Sequence, residues 1–312
     1  LVIEYRNGDY VERRYLNDQL IQNTYDPITR KSRALFSGAL RWLAHAYTPK
    51  LEKALCIGMG VGIVPMQLAN YGITVDVAEI NGAVVPMAEK HFDFDSSKLT
   101  VIISDGRQYL NQTDKRYDAI ILDAFLGDSS PSHLMTKEAF ESILNHLTPE
   151  GVLVINSFGE STDERKFFAT SLDKTLREVF GKASVIVHAS GQGNVFFVAT
   201  PAKQIEPPHH PPAAPNAEAR ERMAATVDDA AIRNEWFDWW RQANQSGPFF
   251  SEHSQVQGEL GLAWKKVREE GYYDPKKGSI LLDDFNPVEF YDAHNREANR
   301  RGLMNILQSN DG

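Results

Sequence analysis

Cysteine, positive charge and long apolar runs are all scarce in this 312-residue chain. The single cysteine, Cys56, excludes an internal disulfide framework, and its apolar neighbours predict a buried strand residue. The 33 Lys and Arg residues are outnumbered by 42 Asp and Glu residues, which argues against a nucleic-acid partner because phosphate contacts need clustered cations. No apolar run approaches the roughly 20 residues of a membrane helix.

These absences favour a cytoplasmic protein that handles small molecules, with no membrane segment within this chain. The first residues already show a strand pattern, so we expect a fragment or processed product. Its localisation then depends in part on what preceded Leu1.

Hydrophobic periodicity predicts an α/β fold. Residues 1–33 alternate apolar and polar positions around a turn at 7–9, which predicts a small N-terminal β-hairpin. Residues 34–200 alternate strands and helices, which predicts a Rossmann-like, mostly parallel sheet with helices on both faces. The predicted strands are 54–57, 74–79, 99–103, 119–122, 151–157, 183–188 and 194–199. The predicted helices are 34–47, 64–70, 83–91, 106–110, 136–147 and 166–180.

Composition changes after Thr200. Residues 201–216 are predicted to be a linker, because 201–215 holds six of the chain's 15 prolines. Residues 217–312 are predicted to be a helical C-terminal extension. Its aromatic cluster is expected to pack on the core domain or on a second subunit, and it consists of Trp236, Phe237, Trp239 and Trp240.

A glycine turn follows the first strand of the α/β region. Gly58, Gly60 and Gly62 lie between a predicted strand and a predicted helix, where glycines let the backbone approach a nucleotide. Glu79 ends the next strand, about 20 residues further on, where a carboxylate can accept both hydrogen bonds of a ribose diol. The pattern predicts a nucleotide-type cofactor.

Two more carboxylates end the following strands. Asp105 and Asp123 should converge with Glu79, because the carboxyl ends of parallel strands form the ligand crevice. For Asp105 the alternative is a helix N-cap. A dinucleotide oxidoreductase would share the glycine turn, but the Asp105-Gly106 pair suits an adenine amino group and no second mononucleotide-binding half follows.

Together these motifs resemble the spermidine synthase family of polyamine aminopropyltransferases over residues 16–160. That family has the class I S-adenosylmethionine-dependent transferase fold, and this chain looks like a divergent member. The resemblance is carried by Leu20-Ile21-Gln22-Asn23-Thr24, the glycine turn, Glu79-Ile80-Asn81, the run from Lys98 to Gly106, Tyr117-Asp118 leading to Asp123, and the segments 133–140 and 147–153.

The resemblance implies a transferase that uses S-adenosylmethionine or its decarboxylated form, without a metal, to aminopropylate an amine such as a polyamine. It also implies a homodimer, and Asp123 as the base. The implied cofactor residues are Gln22, Gly58, Gly60, Gly62, Glu79, Asp105 and Gly106. Three further residues are candidates for the acceptor site: Asp128, His133 and Asp284.

One departure from the family pattern bears on the cofactor. The family usually has an aspartate between the last two glycines of the turn, where it holds the ammonium of the cofactor, but this chain has Val61. Losing that carboxylate favours intact S-adenosylmethionine. The alternatives are therefore an S-adenosylmethionine-dependent methyltransferase and a non-catalytic binding module on the same scaffold.

Overall fold

The computed structural model describes residues 1–8, 10–17, 20–32, 34–124, 131–158, 163–189, 194–205 and 277–287. The predicted linker from residue 206 onward, the aromatic cluster at 236–240 and Asp128 lie outside the described residues. Among the described residues, no helix has the length and apolar character needed to cross a membrane.

The N-terminal region is a four-stranded antiparallel sheet. Strands β1 (Val2–Asn7) and β2 (Tyr10–Asn17) form the predicted hairpin, with Asn7 paired to Tyr10 beside the turn. Two further strands, β3 (Leu20–Asp26) and β4 (Lys31–Ser32), extend it in the order β1-β2-β3-β4. The hairpin prediction is confirmed, and the sheet is larger than predicted.

The second sheet carries the predicted alternation of strands and helices. Its elements in chain order are α1 (Leu35–Tyr47), β5 (Lys53–Ile57), α2 (Ile63–Asn70), β6 (Thr74–Glu79), α3 (Val84–His91), β7 (Thr100–Ile103), α4 (Gly106–Leu110), β8 (Tyr117–Leu122), α5 (Lys137–Asn145), β9 (Leu147–Phe158), α6 (Asp163–Phe180), β10 (Val185–Ala189) and β11 (Asn194–Ala199).

The seven strands lie in the order β10-β11-β9-β8-β5-β6-β7. Strands β9, β8, β5, β6 and β7 are parallel to one another, whereas β11 is antiparallel to both of its neighbours. This confirms the Rossmann-like, mostly parallel fold. The strand order reverses between β5 and β8, which is the position where open α/β sheets form their ligand crevice.

Successive side chains of the central strands point to opposite faces of the sheet, and each face has its own hydrophobic core. Leu55 and Ile57 pack in one cluster with Phe140, whereas Ala54 and Cys56 pack in another with helix α1 residues such as Leu43. Cys56 is 1% exposed, as predicted, and burial raises the pKa of its thiol. With both faces covered, ligand contacts are confined to the strand ends.

The boundary between α5 and β9 differs from the prediction. The helix was predicted to run to Leu147 and the strand to begin at Gly151, but β9 begins at Leu147, which pairs with Tyr117. A register irregularity follows Tyr117, and the Thr148 hydroxyl donates to Asp118 Oδ1 at 3.1 Å. The Thr148-Pro149 segment has the local pattern of a turn, but these contacts with β8 hold it in the sheet.

Residues 277–287, which we call the strap, cross helices α5 and α6. Leu281 is 0% exposed within the same core cluster as Phe140. Its N–H donates to Thr175 Oγ1 at 3.0 Å, and its carbonyl accepts from the Lys137 N–H at 2.8 Å. The strap thus belongs to the α/β domain although it comes more than 70 residues after β11.

Candidate active site

The glycine turn after β5 is pressed against the end of β8. Gly58, Gly60 and Gly62 have φ angles of 83°, 53° and 84°, in the left-handed region. A Cβ on Gly58 would lie 2.6 Å from the Asp123 carbonyl oxygen and 2.9 Å from the Ala124 Cα. Because these are backbone atoms they cannot rotate away, so only glycine fits.

The N-terminal sheet reaches the same turn through Asn23. A Cβ on Gly60 would lie 2.6 Å from Asn23 Oδ1, and Asn23 is buried at 7% exposure. Gln22, the predicted cofactor residue, is the extra residue of a β-bulge, because Tyr15 pairs with Asn23 and Leu16 pairs with Ile21. Gln22 is half-buried. Sequence reasoning missed Asn23, although it stands in the motif that pointed to Gln22.

Glu79 ties the turn to β6. Its Oε2 accepts the Met59 N–H at 3.0 Å, and its Oε1 accepts the Asn81 N–H at 2.8 Å. A carboxylate has about four acceptor positions, so the group keeps capacity for two further donors such as ribose hydroxyls.

Two large apolar side chains are exposed next to these strand ends. Ile80 follows Glu79 directly and is 58% exposed, and Ile103, the last residue of β7, is 56% exposed. Exposed apolar surface beside a polar crevice is typical of a ligand site. Sequence reasoning missed both residues because each ends or follows an otherwise ordinary strand.

Asp105 is the N-cap of α4. Its Oδ1 accepts the backbone N–H groups of Arg107 and Gln108, both at 3.0 Å, and its Oδ2 lies 2.7 Å from His133 Nε2. Burial alone would raise the pKa of Asp105, but the His133 contact and the two backbone donors hold it below the usual value. Asp105 thus caps α4 and contacts His133, and its role as a cofactor residue stays a prediction.

Asp123 follows β8 and is oriented by a chain of amides. Its Oδ1 accepts from Asn156 Nδ2 at 2.9 Å, and Asn156 Oδ1 accepts from Asn194 Nδ2 at 2.9 Å. Burial raises the pKa of Asp123 to about 6, against the lowering effect of the Asn156 hydrogen bond. Sequence reasoning missed both asparagines. Their signal is an amide near the end of the apolar strand β9 and another at the start of β11.

Three further residues that the sequence analysis singled out have no described contact with Glu79, Asp105 or Asp123. Val61 is 0% exposed and packs with Tyr25, Ile63 and Phe92, so the turn offers its backbone, and no carboxylate, to a ligand. Asp284 is an exposed strap residue. Asp128 lies outside the described residues.

A model of the spermine/spermidine synthase domain matches residues 36–203, which is more than half of the chain. The chain belongs to this family. The matched region of this chain contains the glycine turn, Glu79, Asp105 and Asp123. It ends before the strap.

Curated relatives of this family member include enzymes of two kinds. It is 34% identical over 183 residues to the polyamine aminopropyltransferase of Vibrio vulnificus, covering 57% of this chain and 56% of that protein. It is 32% identical over 135 residues to the N-terminal histidine N-methyltransferase of Emericella nidulans, covering 41% of this chain and 23% of that protein. The chain thus spans little more than half the length of the first relative.

Comparison with solved structures supports the same fold. The crystal structure of spermidine synthase from Thermotoga maritima matches with a TM-score of 0.54 at 17% identity, covering 87% of this chain and 88% of that chain. At this identity the likeness concerns the fold alone.

Proposed function

We propose that this chain is a transferase that uses decarboxylated S-adenosylmethionine or S-adenosylmethionine to alkylate an amine, with aminopropyl transfer to a polyamine as the leading reaction. The observation that carries the proposal is the position of Asp123. Asp123 directly follows β8, its main chain lies against the glycine turn after β5, and Asn156 holds its carboxylate. A candidate base and a candidate cofactor turn therefore share one crevice.

The chain's residues fit the adenosine half of such a cofactor. The glycine turn and Gln22 are proposed to contact it, and Glu79 has acceptor capacity for the ribose hydroxyls. Asp105 and Gly106 are proposed to bind the adenine edge, beside the exposed side chains of Ile80 and Ile103. When bound, a sulfonium cofactor supplies an electrophilic alkyl carbon.

Asp123 is suited to prepare the attacking amine. An alkyl amine has a pKa of about 10.4, so exposing its lone pair near pH 7 costs about 5 kcal/mol. Asp123, with a pKa of about 6, is ionised at neutral pH and can accept the ammonium proton. The Asn194–Asn156 chain holds the carboxylate in one orientation, which is what positioning catalysis requires.

The acceptor is proposed to be a polycation. The formal net charge of -9 favours binding of cationic amines. Asp128 and Asp284 are proposed to contribute carboxylates to the acceptor side, with His133 nearby. The structure does not describe Asp128, so its role is proposed from the sequence.

The decisive experiment is product analysis. Purified protein is incubated with each cofactor form and with putrescine or spermidine, and methylthioadenosine and S-adenosylhomocysteine are quantified. We expect methylthioadenosine and an aminopropylated amine from wild type, and neither from Asp123→Asn. Absence of both products with every cofactor and amine pair would sink the catalytic proposal.

Methyl transfer is the second candidate, and Val61 favours it. Because Val61 is buried among apolar side chains, the turn supplies no carboxylate for a free ammonium and none that would repel the carboxylate of intact S-adenosylmethionine. Calorimetric titration with both cofactor forms separates the candidates. At least tenfold tighter binding of S-adenosylmethionine would favour methyl transfer, and the reverse preference would favour aminopropyl transfer.

A further inference from the structure

Asp283 of the strap makes polar contacts with Arg107 and Thr136, next to the candidate active site. Both carboxylate oxygens of Asp283 face Arg107, with Nη1 to Oδ1 at 2.7 Å and Nη2 to Oδ2 at 2.5 Å. The Thr136 hydroxyl donates to the same Oδ1 at 2.7 Å. We call these three residues, Arg107, Thr136 and Asp283, the brace.

Contacts before and after Asp283 in the chain fix its backbone. Leu281 is anchored in the core, and the Asp283 N–H donates to Glu138 Oε2 at 3.1 Å. After the turn, Asn286 Nδ2 donates to the Ser132 carbonyl at 2.7 Å. The backbone position of Asp283 is therefore set by the strap, and Arg107 and Thr136 hold its carboxylate.

The brace joins the two elements that carry Asp105 and His133. Arg107 lies in the first turn of α4, which Asp105 caps, and Thr136 caps α5 by accepting the Ala139 N–H at 3.2 Å. The segment just before Thr136 carries His133, whose carbonyl also accepts from Arg107 Nη1 at 3.4 Å. The 2.7 Å contact between His133 and Asp105 thus spans two elements that the brace holds together.

The negative charge of Asp283 also affects Arg107. The Arg107 hydrogen bond and the Thr136 hydroxyl hold the pKa of Asp283 below its usual range, so the group is ionised at neutral pH and neutralises the guanidinium. Without that partner, Arg107 would lose its hydrogen-bonded carboxylate and keep only the electrostatic attraction of Glu138 and Asp105. It would then compete with His133 and with an adenine amino group for Oδ2.

We infer that Asp283 is a positioning residue for the adenine side of the cofactor site. By binding Arg107 and Thr136, it keeps His133 in contact with the Asp105 carboxylate and keeps Arg107 away from that carboxylate. This inference rests on the proposed function, in which Asp105 binds the adenine edge. It places a determinant of cofactor affinity outside the matched synthase domain.

The binding test uses Asp283→Asn and 5′-methylthioadenosine, which carries the adenosine half without a charged tail. We expect calorimetry to show about tenfold weaker binding, as for loss of one charge-assisted contact. Adding Arg107→Gln should restore most of the affinity, because it removes the competing cation. The matched control is Asp114→Asn, an exposed carboxylate in the loop before β8.

A second measurement does not need the cofactor. Long-range ¹H–¹⁵N spectra of histidine-labelled protein report the His133 ring, which is assigned with His133→Gln. We expect its Nε2 signal to shift in Asp283→Asn and to return in the double variant. Exposed ion pairs contribute little to stability, so the variants should fold, and circular dichroism checks this.

The outcomes separate the two proposals. If wild type binds no adenosine ligand, the proposed function fails, and the His133 signal still decides the brace. A loss of affinity that Arg107→Gln does not restore would indicate a merely structural role and overturn the inference. A His133 signal identical in wild type and Asp283→Asn would overturn it as well.

Discussion

Asp123 combines two properties that oppose each other in an ordinary carboxylate. Burial disfavours its charge and raises its pKa to about 6, yet the Asn156 amide donates to the charged form. The result is a carboxylate that is ionised at neutral pH but is a stronger base than an exposed aspartate. A structural surface carboxylate gains nothing from this arrangement, whereas a proton acceptor does.

Asp123→Asn should stabilise the fold at neutral pH. A carboxyl group whose folded pKa is raised contributes stability below its unfolded pKa, and that contribution is lost as the pH rises to about 6. A shift of roughly two units corresponds to about 3 kcal/mol, which is an upper bound for the gain at pH 7.5. The gain should disappear near pH 4.

Urea unfolding at the two pH values measures this difference, with Asp114→Asn as the exposed control. Equal stability of wild type and Asp123→Asn at pH 7.5 would contradict the burial of charge that we describe.

The pH dependence of turnover should report the same group. With the cofactor saturating, we expect kcat/KM for the amine to rise with pH around a midpoint near 6, because in the protein without bound amine only ionised Asp123 can receive the amine proton. Initial rates at low amine concentration between pH 5 and 8 measure this, with circular dichroism confirming that the fold persists. A kcat/KM that is flat across this range would argue against Asp123 as the base.

At the scale of elements, the turn between β5 and α2 is constrained by its neighbours. Gly58→Ala should cost about 2–4 kcal/mol of unfolding free energy, because the new Cβ meets backbone atoms of β8 at a φ of 83°. It should also weaken cofactor binding.

Gly38→Ala is the matched control. A Cβ there meets nothing within 4 Å, and the residue lies inside helix α1. It should raise stability by about 0.5–1 kcal/mol. Denaturant melts of the two variants in parallel measure both effects, and equal changes would refute the turn argument.

Most elements were predictable because their patterns are local. The predicted bounds of β6, α4 and β11 match the structure, since apolar runs and flanking glycines or carboxylates mark those ends. The start of β9 was not predictable, because pairing with β8 decides it. Asn23 and Asn156 were missed for a related reason: their roles depend on which polar groups the fold brings within reach.

At the scale of the whole molecule, the strap completes the hydrophobic core. Leu281→Ala should lower the unfolding free energy by about 2–4 kcal/mol, as for a fully buried leucine in any core. Phe285→Ala is the control, since its side chain is 57% exposed, and it should change stability by about 0.5 kcal/mol or less. Thermal or urea unfolding of both variants gives the comparison; a neutral Leu281→Ala would show that the strap is not part of the folded unit.

No local pattern could have revealed the strap. Its Ser279 and Leu281 N–H groups bond to side chains of α6 that are 108 and 106 residues away, and Arg107 is 176 residues from Asp283. From the sequence, Asp284 of this segment was a candidate for the acceptor site. The structure pairs its neighbour Asp283 with Arg107.

The contact between Gly58 and the end of β8 limits which substitutions the crevice tolerates. Two backbones touch there with no side chain between them, so the floor of the crevice offers no position at which a library of substitutions would widen or reshape it. Substitutions that alter ligand choice should therefore be found where side chains, rather than main chain, meet the ligand.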